Sequence, residues 1–241
     1  MNNNRQVTRR QFLKASVAGL SFMYLPGIGR IQARPFSMKN LGGDFGRLCY
    51  NENPLGPSPL ALEAIHQTAQ RANRYPDWFS SDLEGLIAEN HGVPSSWICV
   101  GAGATEIIHL IAEAFLGPGD ELITATPTYS QMANEAVANG ASVVFVPVDE
   151  DHFIDIEAIA NAITPQTKLI SLVNANNPQG NCIDKISMAN FIHTLPGGII
   201  VVVDEAYHQY IHSPDYESCI RYVQDGNPVI VIRTFSKVYG L

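Results

Sequence analysis

Four apolar runs of this 241-residue chain are each followed by residues that could take part in chemistry. The groups are Lys237, Asp204, Asn177 and the glycine turn 101–103. A lysine in a desolvated, cationic pocket keeps the neutral amine form that acts as a nucleophile or base near neutral pH. A buried carboxylate can hold a cationic nitrogen, and a glycine turn that opens a helix can bind phosphate. Such chemistry requires all four groups to face one space.

The chain contains five lysines, and Lys237 is the one that follows a long apolar run, which begins at Val229. Strand-like runs alternate with helix-like segments, which predicts an α/β fold with a mostly parallel sheet and helices on both faces. The predicted strands are 98–100, 121–125, 142–146, 168–173, 199–203 and the run from Val229. The predicted helices are 60–72, 81–91, 106–115, a helix that begins at 127–129, 154–163 and 184–194. Because ligands bind at the carboxyl ends of parallel strands, this fold predicts that the four groups meet.

The glycine turn 101–103 is interpreted as the entry to the helix 106–115. A helix N-terminus offers free N–H groups and a partial positive charge to phosphate, and glycine allows the ligand to approach the backbone closely. The turn departs from the dinucleotide fingerprint G-x-G-x-x-G, since Glu106 stands at the third glycine position. This departure disfavours a nicotinamide-dependent dehydrogenase. Taken alone, the turn is equally compatible with a plain strand–helix connection.

In their order and context, these segments resemble the large domain of the fold-type-I pyridoxal-phosphate (PLP) aminotransferases of class I and II. The resemblance is closest to the histidinol-phosphate aminotransferase group and covers residues 47–241. It implies an aspartate-aminotransferase-like large domain. The segments that carry it are Ser236-Lys237, Asp204-Glu-Ala-Tyr207, Asn177-Pro-Gln-Gly180 and Gly101-Ala-Gly-Ala-Thr105. Gln179 stands where the family usually has threonine.

The resemblance implies that pyridoxal 5′-phosphate is the cofactor and that Lys237, Asp204 and Tyr207 are catalytic. Lys237 would hold the cofactor covalently and move the substrate's α-proton, while Asp204 would keep the ring nitrogen protonated. Asn177 and Tyr207 would donate hydrogen bonds to the ring oxygen. The implied phosphate contacts are the N–H groups of Gly103, Ala104 and Thr105 and the hydroxyls of Thr234 and Ser236.

Aromatic residues and an N-terminal arm complete the implied site. Tyr129 would stack on the pyridine ring, and Tyr75 would reach the cofactor phosphate of a neighbouring subunit, so the active unit would be a homodimer. The segment 51–59 resembles the substrate-side arm of the family, although its prolines also fit an ordinary turn. The implied substrate contacts are Asn51, Asn53 and Leu55, and the family often has an aromatic residue at the last of these positions.

Residues 1–34 resemble a twin-arginine signal peptide. They carry six basic residues and no acid, with the pair Arg9-Arg10 ahead of a short apolar stretch over 15–25. That stretch is shorter than the roughly 18 residues that a membrane-spanning helix needs. The pattern favours export to the periplasm by the twin-arginine machinery over a basic amphipathic N-terminus of a cytosolic protein. The predicted organisation is a leader over 1–34, an arm over 35–60 and a PLP-binding large domain over 61–241.

Charge and cysteine usage argue against two classes of site. Outside the leader, nine basic and 23 acidic residues give a formal net charge of −14, which argues against nucleic-acid binding. The four cysteines show neither C-x-x-C nor zinc spacing, so no metal site is predicted.

Several parts of the family fold follow the lysine and have no counterpart in this sequence. They are an arginine-bearing turn that binds phosphate, a strand that runs antiparallel between the strands leading to Gly101 and Lys237, and a small domain whose arginine binds the substrate carboxylate. The large domain is therefore predicted to be incomplete at its C-terminus. Open strand edges leave backbone groups unpaired, so the chain alone is expected to be unstable or inactive.

The predicted function is amino-group transfer from an amino acid or amine to a 2-oxo acid. Two alternatives stay open: a PLP-dependent decarboxylase of the same group, and a non-catalytic remnant. The sequence does not identify the substrate. Histidinol phosphate gives the group its name, but a biosynthetic role fits poorly with export.

Overall fold

Five parallel strands form the centre of the described part of the protein. The computed structural model describes residues 49–75 and 82–241, so the predicted leader lies outside it and the arm is described from Cys49 onward. The strands are β1 Glu121–Thr126, β2 Ser142–Pro147, β3 Thr167–Val173, β4 Ile200–Asp204 and β5 Val229–Ile232. Their spatial order is β2-β1-β3-β4-β5, and every neighbouring pair is parallel. The predicted α/β class is confirmed.

Helices connect the strands and flank the sheet. They are α1 Pro59–Ala69, α2 Asp82–His91, α3 Gly103–Phe115, α4 Gln131–Ala138, α5 Ile156–Asn161, α6 Lys185–Thr194 and α7 Ile220–Gln224, with short 3₁₀ turns at Ser95–Trp97 and His208–Tyr210. The start of α1 is capped by Ser58, whose Oγ accepts a hydrogen bond from the Ala61 N–H at 3.2 Å. The start of α6 is capped by Asp184 in the same way. Such caps satisfy N–H groups that the first helical turn leaves free.

Two apolar layers cover the two faces of the sheet. On one face, α3 and α4 pack over Leu122, Leu169 and Val202. On the other face, α5, α6 and α7 pack over a row that includes Ile170 and Val201. Successive side chains of a strand point to opposite faces, so neighbouring residues of β4 enter different layers.

The predicted strand 98–100 is wrong. Ile98 is extended, with φ −100° and ψ 134°, but residues 98–100 pair with none of the described strands. A groove of about 590 Å³ lies along this side of the sheet, lined by apolar side chains of α2, of segment 97–99 and of β5. An extended segment becomes a strand only when a neighbour completes its backbone hydrogen bonds. The groove lies between the two segments that, by the family resemblance, would border a further antiparallel strand.

Two predicted helix starts also need correction. The helix α3 begins at Gly103, three residues earlier than predicted, so the glycine turn itself enters the helix. The helix α4 begins at Gln131 and not at Pro127. Thr128 Oγ1 donates to Asn176 Oδ1 at 2.6 Å, and Asn176 Nδ2 donates to the Pro127 carbonyl at 3.1 Å. These bonds hold residues 127 and 128 outside the helix.

The first helix differs from the others because none of its residues is buried. Its apolar side chains face solvent, and Leu60 is 80% exposed. None of the helices in the described ranges is long and apolar enough to cross a membrane.

Candidate functional site

Lys237 lies in the turn that follows β5, beside the arm that precedes α1. Its Nζ donates a hydrogen bond to the carbonyl oxygen of Tyr50 at 2.7 Å. The same nitrogen lies 5.7 Å from the centroid of the Tyr207 ring, within the range of a cation–π contact. Two residues predicted to be catalytic, Lys237 and Tyr207, are therefore neighbours.

Asp204 is the last residue of β4, and in the ladder it lies beside Val173 of β3 and Ile232 of β5. Its side chain is buried, and among the described residues it accepts one hydrogen bond, from the Ala206 N–H at 3.0 Å. Burial raises the pKa of Asp204 from the usual 3.8 to about 6, although the Ala206 bond and the charge of Lys237 act in the opposite direction. Asp204 is therefore a buried carboxyl group with unused acceptor capacity.

A small cavity of about 10 Å³ lies against Asp204. Its walls also include Tyr129, Ser171 and Ile108. Tyr129 precedes α4 and is 41% exposed, so solvent reaches part of this residue. An aromatic ring and a buried carboxyl group therefore share one cavity at the carboxyl edge of the sheet.

Two arm residues contact the turns that carry the predicted catalytic groups. Asn51 Nδ2 donates to the Tyr207 hydroxyl at 2.9 Å. Asn53 Nδ2 donates to the Val238 carbonyl at 2.9 Å. The side chain of Leu55, in contrast, is 90% exposed. Two of the three predicted substrate contacts therefore lie beside Lys237 and Tyr207.

The arm and the turn after β5 meet most closely at two glycines. A Cβ atom on Gly240 would lie 2.6 Å from the carbonyl carbon of Gly56, and Gly240 has a φ of +68°. Both the contact and the backbone angle require glycine at position 240. Tyr50 and Asn51 also have positive φ, at 69° and 52°. Residues with side chains seldom adopt this conformation, which here accompanies the hydrogen bond from Lys237 to the Tyr50 carbonyl.

The predicted phosphate site is the N-terminus of α3, and Gly103, Ala104 and Thr105 are its first three residues. The Gly103 N–H already donates to the Gly101 carbonyl at 2.8 Å. The Glu106 carboxylate accepts a hydrogen bond from the Ala102 N–H. The N–H groups of Ala104 and Thr105 are therefore the better placed of the predicted donors for an anion.

The remaining predicted phosphate contacts form a turn of their own. Thr234 Oγ1 donates to Ser236 Oγ at 3.0 Å and accepts a bond from the Ser236 N–H at 3.1 Å. The turn follows β5 and leads directly into Lys237.

Two predicted site residues have no polar contact in the described part of the chain. The Asn177 side chain makes no hydrogen bond there, whereas its neighbour Asn176 is buried and bonded to Thr128, Pro127 and Gln179. Tyr75 is 93% exposed. Their roles toward the cofactor stay predictions.

One buried group beside the site was missed by the sequence reasoning. Glu205 follows Asp204 directly, is fully buried, and forms an ion pair with Arg233 at 2.8 Å. The sequence does contain a feature that could have predicted this pair, because Glu205 and Arg233 each follow one of two apolar strands that are adjacent in the sheet. No cluster of three or more metal-ligating side chains occurs among the residues that the structure describes.

Residues 44–241 match a family model described as aminotransferase class I and II. The chain belongs to this family. The match extends over the sheet, the helices and every predicted site residue, and it confirms the resemblance on which the predicted fold and function depend.

Individual relatives agree with this family. The chain is 38% identical to a histidinol-phosphate aminotransferase of Moorella thermoacetica over 221 residues, which are 90% of the chain and 56% of that relative. It is 34% identical to an aromatic amino acid aminotransferase of Streptomyces avermitilis over 229 residues, 95% of the chain and 61% of that relative.

A solved structure confirms the fold. The structure of histidinol-phosphate aminotransferase from Sinorhizobium meliloti, in complex with pyridoxal-5′-phosphate, matches with a TM-score of 0.74 and 30% identity. The match covers 80% of this chain and 52% of that one. The chain spans just over half the length of the relatives it matches.

The described residues fit PLP, the cofactor of this family. Asp204 is a buried carboxyl group that accepts a single hydrogen bond from the described residues, so it can accept another from a protonated ring nitrogen. Burial raises its pKa, and a cationic partner would reverse that shift. The start of α3 offers backbone N–H groups to a phosphate, and Lys237 offers an amine.

Proposed function

We propose that this protein is a PLP-dependent aminotransferase that moves an amino group from an amino acid or amine to a 2-oxo acid. One observation carries the proposal. The amine of Lys237 and the buried carboxyl of Asp204 follow the adjacent strands β5 and β4 at one edge of the sheet. Membership of the family supports the same assignment.

When bound, PLP would supply an electron sink for the charge that develops at the substrate's α-carbon. Asp204 would keep the ring nitrogen protonated, and its burial would strengthen that interaction because little water competes for the carboxylate. Lys237 Nζ would leave the Tyr50 carbonyl to bind the cofactor, and it would carry the α-proton during transfer.

Tyr207 would donate its hydroxyl proton to the ring oxygen. Asn51 Nδ2 already occupies an acceptor site of that hydroxyl, so the O–H proton stays available for donation. Asn177 would act as a second donor. Tyr129 would stack on the ring from the side of the cavity that it shares with Asp204.

The cofactor phosphate would be held by backbone and hydroxyl donors. The N–H groups of Ala104 and Thr105 lie at the positive end of α3. The Gly103 N–H would contact the phosphate while it also donates to the Gly101 carbonyl. The hydroxyls of Thr234 and Ser236 would add two further donors from the turn before Lys237.

The substrate classes to test first come from the names of two relatives. One is named for histidinol phosphate and the other for aromatic amino acids. Asn51 and Asn53 would contact the amino donor from the arm, with Leu55 beside them, and a 2-oxo acid would accept the amino group.

A titration of the chain with PLP tests the function. We expect PLP to develop the absorbance of a lysine-bound cofactor, and borohydride reduction followed by peptide mass spectrometry to locate the bond at Lys237. The variant Lys237→Ala should lose both signals. Lys185→Ala is the matched control, because Lys185 Nζ also donates to a backbone carbonyl, that of Pro214 at 2.8 Å. A bond formed at another lysine would overturn the assignment.

Product analysis separates the alternatives. An aminotransferase converts the donor to a 2-oxo product and aminates the acceptor, whereas a decarboxylase releases carbon dioxide and needs no acceptor. A non-catalytic remnant would form no bond at Lys237.

We also propose that the active unit is a homodimer in which Tyr75 reaches the partner's cofactor phosphate. Its exposure supports the proposal, because the side chain is available to a second subunit. Sedimentation should detect a dimer in the presence of PLP, and Tyr75→Phe should weaken PLP binding. A monomer with full PLP affinity would refute this proposal.

We further propose that residues 1–34 direct export to the periplasm. The arginine pair, the apolar stretch and the absence of acidic residues support export. Cell fractionation should recover the protein in the periplasm, and replacing Arg9 and Arg10 by lysine should retain it in the cytoplasm. Arg30→Lys is the control, and cytoplasmic recovery of the unmodified protein would contradict export.

A further inference from the structure

Glu205 is a fully buried carboxylate surrounded by donors. Its Oε1 accepts a hydrogen bond from the Cys219 N–H at 2.7 Å, and its Oε2 accepts one from the Ser218 hydroxyl at 2.8 Å. Arg233 donates to Oε2 from both Nε and Nη2, at 3.1 and 2.8 Å. The carboxylate is thus fully engaged within the protein.

Among the described residues, Arg233 is the cation that lies at hydrogen-bond distance from Glu205. Arg233 Nη2 also donates to Ser218 Oγ at 2.8 Å, which closes a triangle of three side chains. His208 Nδ1 lies 4.0 Å from Glu205 and 3.0 Å from the Tyr216 hydroxyl. Burial, and then the charge of Arg233, lowers the pKa of His208, so the imidazole is neutral near pH 7.

The triangle joins three elements of the fold. Glu205 follows β4, Ser218 precedes α7 and Arg233 follows β5. The Glu205 N–H also donates to the Ile232 carbonyl at 2.8 Å, which extends the β4–β5 ladder by one bond. The ends of the two strands are therefore fixed to each other by backbone and side-chain bonds.

These two strand ends carry the site. Asp204 immediately precedes Glu205, and the turn from Arg233 leads through Thr234 to Lys237. In the described part of the chain β5 has one strand neighbour, β4, and it also lines the open groove. The side chain of Arg233 is therefore a main constraint on where the Lys237 turn begins.

Stability alone is a weak reason for such a pair. Desolvating two charges offsets most of their attraction, and apolar residues of similar size often serve stability equally well. A two-bond contact from a guanidinium fixes direction as well as distance. The arrangement therefore suits a group that sets the geometry of its neighbours.

We propose that Glu205 and Arg233 are positioning residues, which hold the Lys237 turn at the distance from Asp204 that the cofactor site requires. This inference rests on the proposed function. Neither residue would contact cofactor or substrate. They would act on the site by fixing the positions of the ends of β4 and β5, which carry Asp204 and the Lys237 turn.

The test measures where the Lys237 amine is held, without cofactor. The full chain is treated with an amine-reactive reagent, and labelling of each lysine is followed by peptide mass spectrometry, with exposed Lys168 as the internal reference. Glu205→Gln removes the charge but keeps the shape, and Ser218→Ala removes the bridging hydroxyl but keeps both charges. Glu217→Gln is the matched control, because Glu217 forms an exposed pair with Arg221 at 3.1 Å.

Labelling is done well below each variant's unfolding midpoint, so that a loss of stability alone leaves it unchanged. We expect Glu205→Gln to increase the rate of Lys237 labelling, relative to that of Lys168, by about threefold, because a lysine side chain held in one rotamer would then have three rotamers available. Ser218→Ala should give a smaller increase, and Glu217→Gln none. If Glu205→Gln does not fold, the labelling of Lys237 in Ser218→Ala decides whether the inference holds.

Unchanged labelling of Lys237 in the folded variants would overturn the inference and leave Glu205 a structural residue. The proposed function is judged separately, by PLP binding to the unmodified chain. A chain that binds no PLP but shows faster Lys237 labelling in Glu205→Gln would support the positioning role and reject the function. When PLP does bind, Glu205→Gln should weaken it and Glu217→Gln should not.

Discussion

At the end of β4, two adjacent carboxyl groups lie on opposite faces of the sheet and differ in how fully they are hydrogen-bonded. Asp204 continues the row of Val202, beneath α3 and α4, and accepts one hydrogen bond from the described residues. Glu205 lies in the layer of Val203 and Cys219 and is bonded to Ser218, Cys219 and Arg233. Both are buried, yet only Glu205 has its charge compensated by a cation at hydrogen-bond distance.

The difference separates a carboxyl group with unused acceptor capacity from one whose oxygens are engaged by the fold. Burying a carboxylate is unfavourable unless it is paired and hydrogen-bonded. The fold meets that requirement for Glu205 and leaves it incomplete for Asp204, whose pKa rises to about 6. A cationic ring nitrogen would complete it. The ionised Asp204 carboxylate is therefore an incompletely compensated buried charge on the face where the cofactor is proposed to bind.

The largest expected effect is on the Glu205 face. Glu205→Ala should lower the free energy of unfolding by about 3–5 kcal/mol, because it leaves Arg233 with no partner for its partly buried charge. Denaturant unfolding at pH 7 measures the change. Glu217→Ala, in an exposed pair, should change it by about 1 kcal/mol or less. Equal effects of the two substitutions would remove the contrast between buried and exposed pairs.

On the Asp204 face, removal of the carboxyl charge is expected to raise the free energy of unfolding instead of lowering it. The folded protein holds a proton on Asp204 up to about pH 6, whereas the unfolded chain releases it near 3.8, so stability falls as pH rises through this window. Asp204→Asn should therefore raise the free energy of unfolding above pH 6 by about 3 kcal/mol, while weakening PLP binding.

The gain from Asp204→Asn should disappear as the pH is lowered from 6 to 4. Unfolding measured at several pH values follows it, and Asp151→Asn, at an exposed position, provides the matched control. A gain that is constant over pH would mean that the charge of Asp204 is not its source.

A smaller effect is expected where the arm contacts the turn after β5. Asn53→Ala removes the bond to the Val238 carbonyl and the one accepted from the Leu55 N–H, both partly exposed. The free energy of unfolding should fall by about 1 kcal/mol. Limited proteolysis should cut the arm faster, whereas Asn161→Ala, at an exposed helix end, should not change the rate. An unchanged rate in Asn53→Ala would show that the arm is held by other contacts.

The smallest effect concerns a surface pair that joins His109 of α3 to Glu135 of α4. The Glu135 carboxylate, 2.8 Å from His109 Nδ1, raises the pKa of His109. The resulting stability is present below the unfolded value near 6.5 and is lost as the pH rises through the raised folded value. His109→Gln should therefore flatten the decline in stability above pH 6. An unaltered pH dependence would show that solvent screens the pair completely.

Much of the fold was predictable because it depends on local pattern. Alternating apolar runs and helical segments predicted the parallel sheet, and the strand ends located Asp204 and Lys237 at one edge. The position of strand ends follows from composition, since polar residues and glycines interrupt the apolar runs. The predicted helix start at Pro127 failed because Asn176, distant in sequence, bonds to residues 127 and 128.

Strand 98–100 failed for a related reason. Its residues are apolar and Ile98 is extended, but a strand exists only together with its neighbour, and no described segment pairs with it. Apolar pattern alone therefore overestimated the number of strands.

The sequence by itself determined the family, the class of fold, and the order in which a glycine turn, a carboxyl group and an amine occur along the chain. These features depend on residue type and spacing, which a linear pattern carries completely. Only the tertiary structure decided which of two adjacent acids is compensated, because that depends on Arg233 and Ser218 reaching one carboxylate from different elements. A charge buried with its partner and a charge buried without one look the same in sequence, and they differ only in what the fold brings within hydrogen-bond distance.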